Sequence, residues 1–248
     1  MPGTQNIFSR YEKKYLTNAA ACDAFFERIS PYIRSDLYGA TRICNCYYDT
    51  PEHLLIRRSL DKPRYKEKLR LRCYGVPTED SIAFAEVKKK FKGVVYKRRI
   101  SLPYRDAVAF LAGGSVEIPV DDAQIAREIL WMFRLYPGLS PALALHYQRS
   151  AYYASDDPSL RITVDSDIRF RTYDLDLRAG ETGEHLLSPD ARLLELKIAG
   201  SMPLWLSSAL DACRIFPTSF SKYGKAYLCL LQEAGDPLKL SIGGSVYA

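Results

Sequence analysis

The chain has 248 residues, of which 47% are hydrophobic and 26% charged, and its formal net charge is +6. This length allows one large domain or two small ones with a sizeable core, and no apolar run of about 18 residues indicates a membrane span. Its start, MPGTQNIFSRYEKKY, lacks the apolar segment of a secretory signal, so we expect a cytoplasmic protein with reduced cysteines.

The predicted elements are strands linked as hairpins, with helices at the start, middle and end. In chain order the clearest are a helix capped by Thr17 or Asn18, a strand pair turning near Lys92, a helix at 121–136, two long strands turning at Asp157, a strand at 192–200 and two final helices. About eight such strands predict an α+β fold on an antiparallel sheet or barrel. We expect one domain at 1–234 and a loose C-terminal tail at 235–248.

Strand alternation places many of the cationic side chains on one face of each strand. In RLLELKIAG, Glu195 and Lys197 share a face opposite Leu194 and Leu196. On other strands the polar face carries Arg64, Lys66, Lys68, Arg70 and Arg72; Glu86, Lys88 and Lys90; Lys97 and Arg99; and Arg161, Thr163, Asp165 and Asp167. A solvated sheet face would explain any one strand. Because the pattern recurs, it favours a barrel lined with basic residues, which requires a bound polyanion.

The ordered segments YEKKY, YYDT, KLRLRCYG, AEVKKKFKGVVYKRR, YQRSAY, RITVDSDI, LLELK and FSKYGKAY resemble one family. It is the polyphosphate polymerase (VTC) domain of the vacuolar transporter chaperone complex and its bacterial relatives, in the CYTH-like group of triphosphate tunnel metalloenzymes. The resemblance runs from about Arg10 to Tyr227. It implies an eight-stranded antiparallel β-barrel, the triphosphate tunnel, with flanking helices. It also implies an ATP–polyphosphate phosphotransferase of the polyphosphate kinase type that uses Mn²⁺ or Mg²⁺.

The matching motif positions imply the site residues. The residues expected to hold the reacting phosphates are Lys14, Arg70, Arg72, Lys88, Lys97, Arg149 and Lys197. Lys222, Lys225, Arg99 and Arg161 are further substrate-binding candidates, and Glu195 would hold the metal ion. Ser219 stands where the family often has a lysine, and Lys225, one turn beyond Lys222, would partly compensate.

Phosphoryl transfer depends mainly on positioning and charge neutralisation, so no protein base is required if orthophosphate, pyrophosphate or a polyphosphate end attacks ATP. Glu12, Glu86, Asp165 and Asp167 are either extra metal ligands or partners of nearby cations. The alternatives are a tripolyphosphatase or nucleoside triphosphatase on the same fold, and a non-catalytic module that binds polyphosphate or nucleotide. We expect no nucleic-acid partner, and the resemblance leaves room for a membrane-protein partner that exports the polymer.

Overall fold

The computed structural model describes residues 11–92, 94–233 and 235. The rest of the expected tail, 236–248, lies outside the described residues. Within the described ranges there are ten strands and six α-helices, and none of these helices is long and apolar enough to cross a membrane.

Eight of the strands are long and two have only two residues each. The strands are β1 (Tyr11–Asn18), β2 (Ile33–Asp49), β3 (Tyr65–Tyr74), β4 (Ile82–Phe91), β5 (Val94–Pro103), β6 (Ser140–Ala154), β7 (Arg161–Arg171), β8 (Glu184–His185), β9 (Ala191–Ile198) and β10 (Pro217–Thr218).

The helices lie between groups of strands and at the C-terminal end of the described residues. They are α1 (Ala19–Ile29), α2 (Leu54–Leu60), α3 (Tyr104–Leu111), α4 (Ala123–Leu135), α5 (Leu204–Ala212) and α6 (Lys222–Glu233). The predicted cap of α1 is confirmed, since the Asn18 side chain accepts a hydrogen bond from the Ala21 N–H at 2.8 Å. The sequence analysis missed α2 and α3, because each has only seven or eight residues, too few for periodicity to identify a helix.

The hydrogen-bonded strand order is β10-β1-β9-β7-β6-β2-β3-β4-β5, with β8 on β7. The predicted α+β class with an antiparallel sheet is confirmed. The predicted eight-stranded barrel is not confirmed, because the sheet has ten strands and no ladder between β5 and β10 is found among the described residues.

The chain divides into two compact units. The first comprises Gln148–Asp167, Leu187–Phe220 and the described residues up to Thr41. In it β1 pairs with β10 and β9, and β9 pairs with β7. Its apolar core includes Phe25 of α1, Leu196 of β9 and Leu206 of α5, all fully buried.

The second unit comprises Arg42–Tyr147, Ile168–Leu186 and the described residues from Ser221 onward. In it β2, β3, β4 and β5 form consecutive antiparallel pairs. Its core lies on the face that carries Leu69, Leu71 and Val87, where residues of α3 and α4 cover the sheet. The opposite face of these strands is left for polar side chains.

Candidate functional site

The ladder of the second unit places an acceptor beside each of two arginines on β3. Arg70 stands opposite Tyr47 of β2 on one side and opposite Glu86 of β4 on the other. Arg72 stands opposite Asn45 of β2. Directly opposed side chains lie about 5 Å apart at Cβ, so register alone brings these groups within reach.

Glu86 is the buried centre of this cluster. The Arg70 Nε donates to Glu86 Oε2 at 2.7 Å, and the Lys97 Nζ lies 2.7 Å from Oε1. The Arg72 Nε lies 3.9 Å from Oε2. Burial raises the pKa of the carboxyl, but the charges of Arg70, Arg72 and Lys97 outweigh it and lower the pKa to about 2. Three cations therefore surround one ionised carboxylate, which leaves an excess of positive charge.

Three lysines form a row across adjacent strands of the same unit. Lys68 stands opposite Lys88, and Lys88 stands opposite Lys97. Like charges directly opposed on neighbouring strands are destabilising. Burial lowers the pKa of Lys97 to about 8; Glu86 acts against this shift, and Arg70 and Arg72 add to it. Such crowding indicates a surface that an anion would stabilise.

Lys222 and Arg99, two further predicted residues of the second unit, lie beside the Glu86 cluster. The Lys222 Nζ is 4.4 Å from the centre of the Tyr147 ring, and the Arg99 guanidinium is 4.4 Å from the centre of the Phe84 ring. Lys225 lies half-buried on α6.

In the first unit, two rows cross β1, β9 and β7. The first row is Lys14, Glu195 and Thr163, and the second is Glu12, Lys197 and Arg161. The Lys14 Nζ donates to the carbonyl oxygen of Phe220 at 3.0 Å and lies 3.9 Å from Glu195 Oε2. The Lys197 Nζ lies 2.9 Å from Glu195 Oε1. The shared face predicted for Glu195 and Lys197 is therefore confirmed.

Two further arginines of the first unit are paired with carboxylates. Arg149 donates to both oxygens of buried Asp165, at 2.6 and 2.7 Å, in a bidentate pair. Arg161 forms an ion pair with Asp36. For Asp165 and for Glu86, these contacts support the role of partner to a cation.

Glu195 was predicted to hold a metal ion, and its surroundings allow a test of fit. Among the described residues there is no group of three His, Cys, Asp or Glu side chains that could do so. However, the Thr163 Oγ1, opposite Glu195, is buried with no hydrogen-bond partner in the described part of the chain. Mg²⁺ is usually bound through one or two carboxylates together with phosphate oxygens and water. One carboxylate with an adjacent hydroxyl fits that donor set.

The charge of Glu195 is well stabilised. Burial raises the pKa of its carboxyl, but Lys197, Lys14 and Arg149 hold it well below its usual range. The group is ionised at any pH at which the protein would work, as a metal ligand must be.

The sequence analysis missed Asn45, Tyr47 and Tyr147 as members of the second-unit cluster. A signal existed for two of them, because CNCYYD alternates and puts Asn45 and Tyr47 on the face opposite Cys44 and Cys46. What the alternation did not supply was their position opposite Arg72 and Arg70.

Solved structures with the same fold include two candidate cyclases. One, from Bacillus halodurans, is called an adenylate cyclase; it is 12% identical, covers 85% of this chain and 92% of its own, and has a TM-score of 0.52. The other, from Hippeastrum, is called an adenylyl cyclase and described as having a dominant triphosphatase activity. It is 13% identical, covers 95% of this chain and 99% of its own, and has a TM-score of 0.51. At these identities the likeness shows the fold alone.

Sequence comparison identifies the family. Subunit 4 of the vacuolar transporter chaperone complex of Trypanosoma brucei brucei is 26% identical over 214 residues, covering 69% of this chain and 27% of that protein. The chain thus spans about a quarter of the length of this relative. The model of the VTC domain family matches residues 9–231. The chain therefore belongs to the VTC domain family, as its sequence motifs predicted.

Proposed function

We propose that the protein is a polyphosphate polymerase that transfers the γ-phosphate of ATP onto a growing polyphosphate chain. The observation that carries this proposal is the cation excess in the second unit, where Arg70, Arg72 and Lys97 surround a single carboxylate beside a row of opposed lysines. A dense set of Arg and Lys suits the closely spaced charges of a triphosphate. The relative in Trypanosoma brucei brucei, a subunit of a vacuolar transporter chaperone complex, supports the same assignment.

The roles of the residues follow from their chemistry. The arginines would bind phosphate oxygens through paired N–H donors, and the lysines would offset charge as point cations. In the second unit the proposed phosphate-binding residues are Arg70, Arg72, Lys88, Lys97, Arg99, Lys222 and Lys225. In the first unit they are Lys14, Arg149, Arg161 and Lys197. The attacking oxygen of orthophosphate, pyrophosphate or a polyphosphate end carries its own negative charge, so no protein base is assigned.

We also assign Glu195, with the Thr163 hydroxyl, as the holder of Mg²⁺ or Mn²⁺. Such an ion, when bound, offsets charge on the phosphate oxygens. The cytoplasmic location and a membrane-protein partner that exports the polymer belong to the same proposal.

The test is incubation of the purified protein with ATP and Mn²⁺, with products resolved on a gel stained for polyphosphate and free phosphate measured in the same tubes. A ladder of polymer with little free phosphate is the expected result. Free phosphate without a ladder would move the assignment to a triphosphatase. If neither product formed, the assignment would change to a non-catalytic binding module.

The metal assignment has its own test. Glu195→Gln should lose at least about tenfold in turnover while retaining nucleotide binding, because the amide no longer attracts a cation. Glu27→Gln, on the exposed face of α1, is the matched control and should behave as the wild type. Turnover of Glu195→Gln at the wild-type rate would show that the metal is held elsewhere.

A further inference from the structure

Two buried tyrosine hydroxyls contact the two arginines of β3. The Arg70 Nη1 donates to the Tyr47 hydroxyl at 3.2 Å, and the Arg72 Nη2 donates to the Tyr147 hydroxyl at 3.1 Å. Both tyrosines are more than nine-tenths buried. Each hydroxyl is therefore a fixed acceptor for one guanidinium.

Each tyrosine hydroxyl provides a second point of attachment for one guanidinium plane. Glu86 holds Arg70 through Nε and Nη2, and Tyr47 holds it through Nη1. Asn45 holds Arg72 through Nε at 2.9 Å, and Tyr147 holds it through Nη2. A guanidinium has five N–H donors in one plane, so two attachments fix the direction in which the others point.

Tyr47 is itself held by other elements of the same unit. The Tyr47 ring stacks on Tyr223 of α6, with centroids 4.6 Å apart. The Tyr223 hydroxyl donates to Asp49 Oδ2 at 2.8 Å, and the same carboxylate accepts from the Leu55 and Ile56 N–H groups of α2. Tyr47 thus has little freedom to turn away from Arg70.

We propose that Tyr47 and Tyr147 are positioning residues that hold the Arg70 and Arg72 guanidinium planes so that both arginines bind the same polyphosphate group through paired N–H donors. The inference rests on the proposed function only for its choice of a triphosphate as the ligand. It does not require turnover, since it concerns how an anion is bound. Bidentate recognition demands correct orientation, whereas simple attraction to a cation does not.

A double-mutant cycle tests this, with tripolyphosphate binding measured by calorimetry in the intact protein. Tyr47→Phe and Tyr147→Phe should each weaken binding about tenfold. Tyr47→Phe should have little further effect once Arg70 is replaced by Lys, and Tyr147→Phe little further effect once Arg72 is replaced by Lys. The crossed pairs, Tyr47 with Arg72 and Tyr147 with Arg70, should be nearly additive. Lys is used because it keeps a positive charge at each position while removing the planar fork.

Tyr136→Phe is the matched control, because its hydroxyl donates to Glu67 Oε1 at 2.5 Å and it too is buried. It loses a comparable hydrogen bond, yet it should leave tripolyphosphate affinity unchanged. Equal weakening by this variant, or additivity in the Tyr47–Arg70 and Tyr147–Arg72 cycles, would overturn the proposal in favour of a general effect on stability. Failure of the wild type to bind tripolyphosphate would overturn it too. Binding without polymer formation would overturn only the proposed polymerase activity.

Discussion

Arg70 and Arg72 show why neighbouring side chains, rather than charge alone, define a candidate phosphate site. Each is held by at least two acceptors, and the Arg72 side chain is only 7% exposed. A buried guanidinium is costly unless its donors are satisfied. The neutral acceptors Asn45 and Tyr147 satisfy Arg72 donors without adding negative charge, so the cluster around Glu86 keeps its excess of positive charge for a ligand.

Replacing either arginine by alanine should weaken tripolyphosphate binding by about 1.5–3 kcal/mol, the range for hydrogen bonds to charged groups. The control is Arg105→Ala, whose exposed side chain pairs with Asp80 at 2.7 Å on the surface. Calorimetric titration measures all three affinities. If Arg105→Ala costs as much as the other two, binding depends on diffuse surface charge and not on this cluster.

A second prediction concerns the uptake of a proton by Lys97 when an anion binds. Its pKa is lowered to about 8, so at pH 8.5 many molecules carry a neutral Lys97. A bound anion favours the charged ammonium, and tripolyphosphate binding should therefore draw a proton onto this side chain. Titration in two buffers of different ionisation enthalpy gives the number of protons exchanged.

Lys97→Arg is the reference for that measurement, because arginine is already charged. Protons exchanged by the ligand itself are common to both proteins, so the difference between them reports Lys97. We expect the wild type to take up more protons than the variant. Identical counts would show that Lys97 is charged before binding or lies away from the anion.

At the scale of elements, one carboxylate joins three of them. Asp49, at the end of β2, accepts from two N–H groups at the start of α2 and from the Tyr223 hydroxyl of α6. It is buried, so its removal would leave those donors without an acceptor.

Asp49→Ala should therefore destabilise the fold by about 2–4 kcal/mol, a fall in melting temperature of roughly 4–16 °C for a protein of this size. Asn18→Ala removes a single helix cap and should cost only about 1 kcal/mol. Thermal unfolding of the two variants measures this ranking. A loss for Asp49→Ala no greater than that for Asn18→Ala would mean that Asp49 does not join these elements.

At the scale of the whole molecule, buried ionised carboxylates link stability to pH. The pKa of Glu86 is about 2 in the folded protein, against an ordinary value of 4.5. Between these values the unfolded chain binds more protons than the folded one, so stability declines as pH falls from about 4.5 to 2. Above this window the contribution is complete, and a shift of this size corresponds to about 3 kcal/mol.

Glu86→Gln should lower stability at neutral pH and flatten this acid dependence. Urea unfolding at pH 6, 4 and 3 compares the variant with the wild type, and Glu27→Gln serves again as the control. Parallel curves for Glu86→Gln and the wild type would show that Glu86 titrates alike in the folded and unfolded states.

Sequence patterns alone predicted the faces of the strands and the family. Alternation in RLLELKIAG placed Glu195 and Lys197 together, and the contact of both charged groups confirms it. The α+β class, the hairpins and most helices followed from periodicity and turn residues. Ordered motifs spread over the chain identified the VTC domain, which the family match at residues 9–231 confirms.

Which residues stand opposite one another became known from the folded structure. Nothing in CNCYYD or KLRLRCYG says that Tyr47 faces Arg70 and Asn45 faces Arg72. Nor does FAEVKKKF say that Glu86 is buried among three cations. The period of a strand fixes which face a side chain occupies, but register depends on turn geometry and on core packing across strands that are distant in sequence. The pairing, the burial and the resulting pKa shifts of these residues all depend on that register.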